Sequence, residues 1–166
     1  MNFSIVHEFD TDVKTYWDVF LSPEFGEALM AGLKMTNFKL QKREDDGKVF
    51  RRTQSMEPTV ALPAMFAKFV PNMGYTEHDH LVWASNSMRI VIEPATMKDK
   101  FKTEGDYIVT PLGDKRCRRE FRGEVKVSIP LIGGKMEKFT VEQMQASYEV
   151  ATRITREWLQ KRQQQA

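Results

Sequence analysis

The stretch Lys115-Arg-Cys-Arg-Arg-Glu-Phe-Arg-Gly-Glu-Val-Lys-Val-Ser-Ile129 alternates residue by residue, and it runs into Pro130-Leu-Ile-Gly-Gly134. Cys117, Arg119, Phe121, Gly123, Val125, Val127 and Ile129 share one parity. Arg116, Arg118, Glu120, Arg122, Glu124, Lys126 and Ser128 share the other, and all of these are polar. Such alternation predicts a strand with one face mostly buried and the other wet. At ~3.3 Å per residue the strand would reach roughly 50 Å, too long for a flat small sheet, so a bend is expected, at Gly123. Pro130, Gly133 and Gly134 then stop the sheet, and Lys135 to Gln160 contains neither Pro nor Gly. The pattern predicts an α+β fold in which a curved antiparallel sheet closes around one long C-terminal helix. That shape can hold a cavity.

The segments before the long strand fit this frame. Phe3, Ile5, His7 and Phe9 alternate with Ser4, Val6 and Glu8 and predict a first strand. Asp10 or Thr11 is expected to cap a helix carrying Val13, Tyr16, Trp17 and Phe20. Ser22-Pro23 predicts a second short helix, with Ser22 as cap, Pro23 in its first turn, and Phe25, Leu29, Met30 and Leu33 on its buried side. A hairpin is expected across Asp45-Asp46-Gly47, with Lys48 to Glu57 as its return strand. Further strands are expected at Tyr75 to Ala84, Arg89 to Glu93 and Phe101 to Thr110. Between them, Pro58 to Gly74 is long and apolar, and predicts a short helix from Pro63 to Val70. The polar end, residues 161–166, is expected to fray as a tail, leaving residues 1–160 as a single domain.

Composition narrows the function. The chain has 166 residues, 41% hydrophobic and 29% charged, which suits one globular domain. With 25 basic and 23 acidic side chains the net charge is +2, too balanced to suggest nucleic-acid binding. The basic run around Arg116, Arg118 and Arg122 is interleaved with Glu120 and Glu124 and is expected as a solvated, ion-paired strand face. A single cysteine, Cys117, excludes an internal disulfide. No basic region followed by an apolar run opens the chain, and no stretch reaches the ~20 apolar residues of a membrane span. A cytoplasmic protein is the expectation.

Nearly the whole chain resembles the START-like superfamily, the helix-grip proteins that include birch-pollen allergens and polyketide cyclases. The carrier of the resemblance is Gly123 to Lys138, GEVKVSIPLIGGKMEK, which is similar to the signature of one bacterial domain-of-unknown-function family. Leu62 to Phe69, Trp83 and Glu157-Trp158-Leu159 match in order. The resemblance implies a helix-grip fold with an internal cavity. It implies no catalytic residue.

Candidate chemistry is sparse. His78 and His80 are two apart on a strand, a spacing that can supply two metal ligands. They lie opposite Tyr75, Leu81 and Trp83, so they are expected in solvent, without a metal. Glu77 and Asp79 fall on the inner parity and would suit acid–base work. Their closeness to the Gly74 turn predicts a solvated rim instead. Gly133-Gly134 can offer bare amides to an anion, but a sharp strand-to-helix corner is the expected reading. No nucleophile pattern and no cofactor motif is visible, so no catalytic residue is assigned. The last helix differs along its length: its second half, through Ile154 and Trp158, is expected as plain core. Its first half mixes apolar and polar groups in the manner of a ligand pocket. The expected lining is Tyr107, Phe121, Phe139, Gln143, Met144 and Ser147, with Met65, Phe66 and Phe69 as a lid. Ten methionines, among them Met65, Met73, Met88, Met97, Met136 and Met144, are compatible with an adaptable apolar wall. Three functions remain open: a binder or carrier of a hydrophobic small molecule such as a lipid, sterol or polyketide-like compound; a cyclase- or hydratase-like enzyme using the same cavity; or a module that docks a protein or a membrane transiently through residues 58–74.

Overall fold

The computed structural model describes residues 1–165. Seven strands form one antiparallel sheet: β1 (Asn2–Phe9), β2 (Thr36–Asp45), β3 (Val49–Glu57), β4 (Tyr75–Val82), β5 (Ser87–Pro94), β6 (Phe101–Pro111) and β7 (Cys117–Val127). Their spatial order is β1-β7-β6-β5-β4-β3-β2, so one crossover carries β1 next to β7 and the rest is a meander. That crossover holds α1 (Val13–Phe20) and α2 (Pro23–Gly32). The chain closes with α4 (Gly133–Gln165), while α3 (Ala64–Ala67) sits in the long connection between β3 and β4. The α+β helix-grip expectation is met.

Local chemistry sets the element boundaries. Asp12, not Asp10 or Thr11, caps α1, because its side chain accepts from the Thr15 amide at 2.8 Å. Ser22 caps α2 as expected, with Pro23 at the helix start. Gly105 and Gly123 lie opposite each other on β6 and β7. A Cβ on Gly123 would sit 2.1 Å from the Glu104 carbonyl oxygen, so the two strands approach where only glycine fits. At the corner, Gly133 packs on the end of β7, where a Cβ would meet the Val127 carbonyl at 2.3 Å. Gly133 therefore serves a close approach between strand and helix, while a Cβ on Gly134 would meet nothing within 4 Å.

The last helix is longer than expected. It runs through Gln165, with Gln163 Nε2 donating to the Asp10 carbonyl at 2.9 Å, so residues 161–165 are helical and anchored. Ala166 of the expected tail lies outside the described residues. The second half of α4 is also not plain core. Ile154 and Trp158 are half-buried, whereas Thr152 and Thr155 are buried, each returning its hydroxyl to the carbonyl four residues back at 2.7 Å. Ile154 packs on Gly32 of α2 and Trp158 meets the Phe25 ring edge-on. On the far edge, β2 is exposed along nearly its whole length, Leu40 included. Arg116, just before β7, meets Glu8, whereas Arg118 and Arg122 of β7 form no ion pair among the described residues.

Candidate functional site: a cavity with a polar wall

A cavity of about 290 Å³ lies between the concave sheet face, α2, the α3 segment and the first half of α4. Most of its lining is apolar. Met88, Ile90 and Ile92 of β5 form its floor; Leu29 and Met30 of α2, Leu33 just after it, and Phe139 and Met144 of α4 form its roof. Leu62, Phe66, Val70 and Met73 from the connection after β3 close one side. Alternation on the strands and the i, i+3, i+4 spacing of α4 bring these side chains to one space.

The expected lining residues divide. Phe66, Phe121, Phe139, Gln143, Met144 and Ser147 all border the cavity. Met65, Phe69 and Tyr107 do not. Met65 is exposed, at 43%. The α3 helix has four residues, ending before the expected Val70, and Phe69 turns outward with the Lys68 ammonium 4.9 Å from its ring centre. Phe66 alone of the expected lid aromatics points inward, its ring 5.7 Å from that of Phe139, and it is buried as firmly as the core. Tyr107 lies deeper, fully buried, its hydroxyl bonded to that of Tyr16. Of the six methionines expected near the cavity, all but Met65 line it.

One wall of the cavity is polar, and the sequence reading did not anticipate it. Arg52 and Gln54 on β3 pair with Asp79 and Glu77 on β4. Arg52 Nε donates to Asp79 Oδ2 at 2.7 Å, Gln54 Nε2 donates to Glu77 Oε1 at 2.8 Å, and Arg52 stands 3.9 Å from Glu77. The Asp79 side chain is fully enclosed and that of Glu77 keeps 18% exposure, so neither is part of a solvated rim. The physical reason is the sheet's curvature: inner-facing positions beside the Gly74 turn lie under α4 and the α3 segment, away from bulk water. Burial, then the adjacent Asp79, pushes the Glu77 carboxyl up to about 8, against the pull of Arg52 and Gln54. Burial raises Asp79 as well, opposed by Arg52.

A second buried charge stands at the inner end. Arg119 is fully buried, its guanidinium carbon 5.1 Å from the ring centres of both Phe9 and Tyr148. One terminal nitrogen donates to Thr152 Oγ1 at 2.6 Å and to His7 Nδ1 at 2.7 Å, while Nε and the other terminal nitrogen have no partner. Arginine can only donate, so His7 presents a lone pair at Nδ1 and its proton at Nε2, which meets Glu149 at 2.8 Å. Thr103, on the cavity wall, has a buried hydroxyl that is likewise unpartnered.

The other candidates lie apart. His78 and His80 are exposed, and His78 stands 3.5 Å from Glu93 across the strands. Among the described residues no group of three or more His, Cys, Asp or Glu is placed to hold a metal ion. Burial pushes the Cys117 thiol up to about 11, which leaves it protonated and unreactive at neutral pH. No helix among the described residues is long and apolar enough to cross a membrane.

The architecture has many solved counterparts. The chain superposes on the protein TTHA0849 from Thermus thermophilus with a TM-score of 0.66 and 17% identity, covering 97% of this chain and 98% of that one. A START superfamily protein from Mycobacterium smegmatis gives a TM-score of 0.55 and 17% identity over 89% and 94% of the two chains. Norcoclaurine synthase from Thalictrum flavum, solved with dopamine and hydroxybenzaldehyde, gives 0.60 and 19% over 96% and 88%. At these identities the likeness is one of fold, and the fold is that of the START superfamily. The sequence matches no curated relative. The family model described as protein of unknown function DUF2505 matches residues 4–159, and the chain belongs to that family.

Proposed function

We propose that the protein binds a hydrophobic small molecule, lipid-, sterol- or polyketide-like, in the cavity between the sheet and the first half of α4, and carries it. The observation that supports this reading is the cavity itself: about 290 Å³ of space walled by methionine, aliphatic and aromatic side chains, where ordinary interiors pack without large voids. Burying one large apolar group there contributes roughly 1.5–3 kcal/mol, so a few such groups suffice for micromolar binding. Phe66 acts as the inner face of a lid, and exposed Val60 and Met65 on the same segment offer a transient contact to a membrane or donor during exchange. A cytoplasmic setting, with Cys117 reduced, belongs to this reading.

The test is native mass spectrometry of gently purified protein, followed by organic extraction. A bound apolar compound, or one-to-one uptake of a component from an offered lipid extract, is the expected result. Protein that stays empty and takes up nothing overturns the proposal.

A second reading, an enzyme in the same cavity, draws on the Arg52, Glu77 and Asp79 group. Two carboxyls and a guanidinium beside an apolar space are the material of acid–base chemistry. Turnover of a bound compound, lost in Glu77→Gln with binding retained, would favour it over simple carriage.

A further inference from the structure

We propose that Arg119 is the anion-recognition residue of the cavity, and that the ligand is a lipid- or polyketide-like acid whose single carboxylate meets the guanidinium at the inner end while its apolar tail runs toward Phe66. The proposal rests on the cavity being a ligand site and specifies the headgroup of what it takes.

An unbalanced charge carries it. Arg119 shares the inward parity of β7 with Phe121, borders the cavity and is fully buried. A guanidinium out of water is costly unless an anion pairs with it. Among the described residues no carboxylate does so: the terminal nitrogen that is bonded donates to Thr152 Oγ1 at 2.6 Å and to His7 Nδ1 at 2.7 Å, both neutral acceptors. Nε and the other terminal nitrogen have no partner. The polar groups left around them are the hydroxyls of Tyr16, Tyr107 and Tyr148, which burial keeps protonated. A hydroxyl can accept a hydrogen bond from Arg119, but it brings no charge to oppose the guanidinium. Glu149 lies beyond His7, on the far ring nitrogen, and keeps 72% exposure.

The rest of the wall is balanced within itself. Arg52 is paired with Asp79 at 2.7 Å, and burial raises Glu77 to about 8, so the β3–β4 group adds little net charge at neutral pH. One positive charge remains, and one negative charge offsets it. A carboxylate supplies that charge. A phosphate monoester brings about two, and an ammonium or a neutral ketone leaves Arg119 unbalanced. Position along α4 sets the orientation. Tyr148 and Thr152 hold Arg119 at one end of the helical wall. Phe139, packed on Phe66, lies about 20 Å earlier along the helix from Thr152. Between the two ends Met88, Phe121 and Met144 offer apolar contact to a tail.

Isothermal titration of decanoate, 2-decanone, decylammonium and decyl phosphate into the wild-type protein, Arg119→Gln and Arg119→Lys tests this at pH about 7.5. In the wild type decanoate should bind about tenfold more tightly than the ketone. Arg119→Gln keeps an N–H donor without the charge; it should hold the ketone within about twofold of wild type and lose the preference for the acid. Arg119→Lys keeps the charge and should retain part of that preference. A second readout needs no variant: carbon NMR of carboxyl-labelled decanoate bound to the wild-type protein at pH about 6 should show the ionised form, because the guanidinium opposes the burial that would otherwise protonate it. A bound carboxyl that is protonated there, an acid preference that survives in Arg119→Gln, or decylammonium or decyl phosphate binding more tightly than decanoate overturns the proposal. A ketone that binds as tightly as decanoate leaves the cavity reading standing and removes Arg119 from recognition. Failure of every probe to bind removes both.

Discussion

The two halves of α4 cross the same sheet and meet different surroundings. From Ala151 to Leu159 the helix is gripped: Ile154 sits on Gly32, Trp158 meets Phe25, and Thr152 takes a hydrogen bond from buried Arg119. From Phe139 to Ser147 the same helix looks across a cavity at Met88, Ile90 and Ile92, with Phe66 packed against Phe139. Gly32 and Phe25 of α2 pack against the second half, while Leu29 and Met30 of the same helix face the cavity beside the first. The comparison teaches that one element can serve two purposes when its neighbours pack closely along only part of it. Where packing is complete the helix stabilises the fold; where it is incomplete the remaining space is available to a ligand.

The difference can be broken by substitution, and the largest effect is expected in the gripped half. Ile154→Asp places a charge between α2 and α4 and should cost on the order of 4 kcal/mol in chemical denaturation. A variant that unfolds within a few tenths of the wild-type denaturant midpoint would show that this half is not gripped. Phe66→Ser comes next. Phe66 is buried, so the change should cost roughly 2–3 kcal/mol as well as hasten release of an apolar fluorescent probe in stopped-flow measurements. Unaltered stability together with an unaltered off-rate would remove Phe66 from both core and lid. Thr152→Val keeps the shape but takes away the acceptor of Arg119, and should lower stability by about 1–3 kcal/mol while leaving probe affinity unchanged. Equal effects on stability and probe binding would join the two halves into one unit. Phe69→Ser is the smallest. That ring carries the Lys68 ammonium outside the cavity, so the expected change is within about 0.5 kcal/mol either way, with the probe off-rate untouched. A faster off-rate would return Phe69 to the lid.

The fold was legible because period and punctuation agree with it. The alternation of Cys117 to Val127, the Ser22-Pro23 start and the Pro130 to Gly134 corner each specify a local conformation that the tertiary structure keeps. The part of the cavity lining on β7 and α4 was legible for the same reason, since Phe121, Phe139, Gln143, Met144 and Ser147 follow from strand and helix phase. The polar wall was not. Its signal was present: Arg52 and Gln54 share a parity with Phe50 and Met56, and Arg119 sits between Cys117 and Phe121. A polar residue on an apolar parity states only that it is inward. Whether it meets water or a partner depends on sheet curvature and on which strand lies alongside, and those are long-range facts. Glu77 and Asp79 were placed at a wet rim from their nearness to Gly74, which is a local cue, while their burial comes from Arg52 across the ladder and from α4 overhead. The lid failed for a shorter-range reason. Helix α3 ends at Ala67, and although the Phe69 and Val70 amides still reach the Phe66 carbonyl, Phe69 lies against Lys68 and not among the cavity-lining side chains.

The central claim, that the first half of α4 faces a space kept for a ligand, is tested most directly by filling it. Ser147 lines the cavity from α4, and Ser147→Phe would place a ring in the void. The account predicts stability within about 1 kcal/mol of wild type, because the added ring finds room, and loss of the one-to-one binding of an apolar fluorescent probe expected of the wild-type protein. Probe binding that is unchanged in Ser147→Phe, with the variant folded, would place the ligand elsewhere and contradict the account.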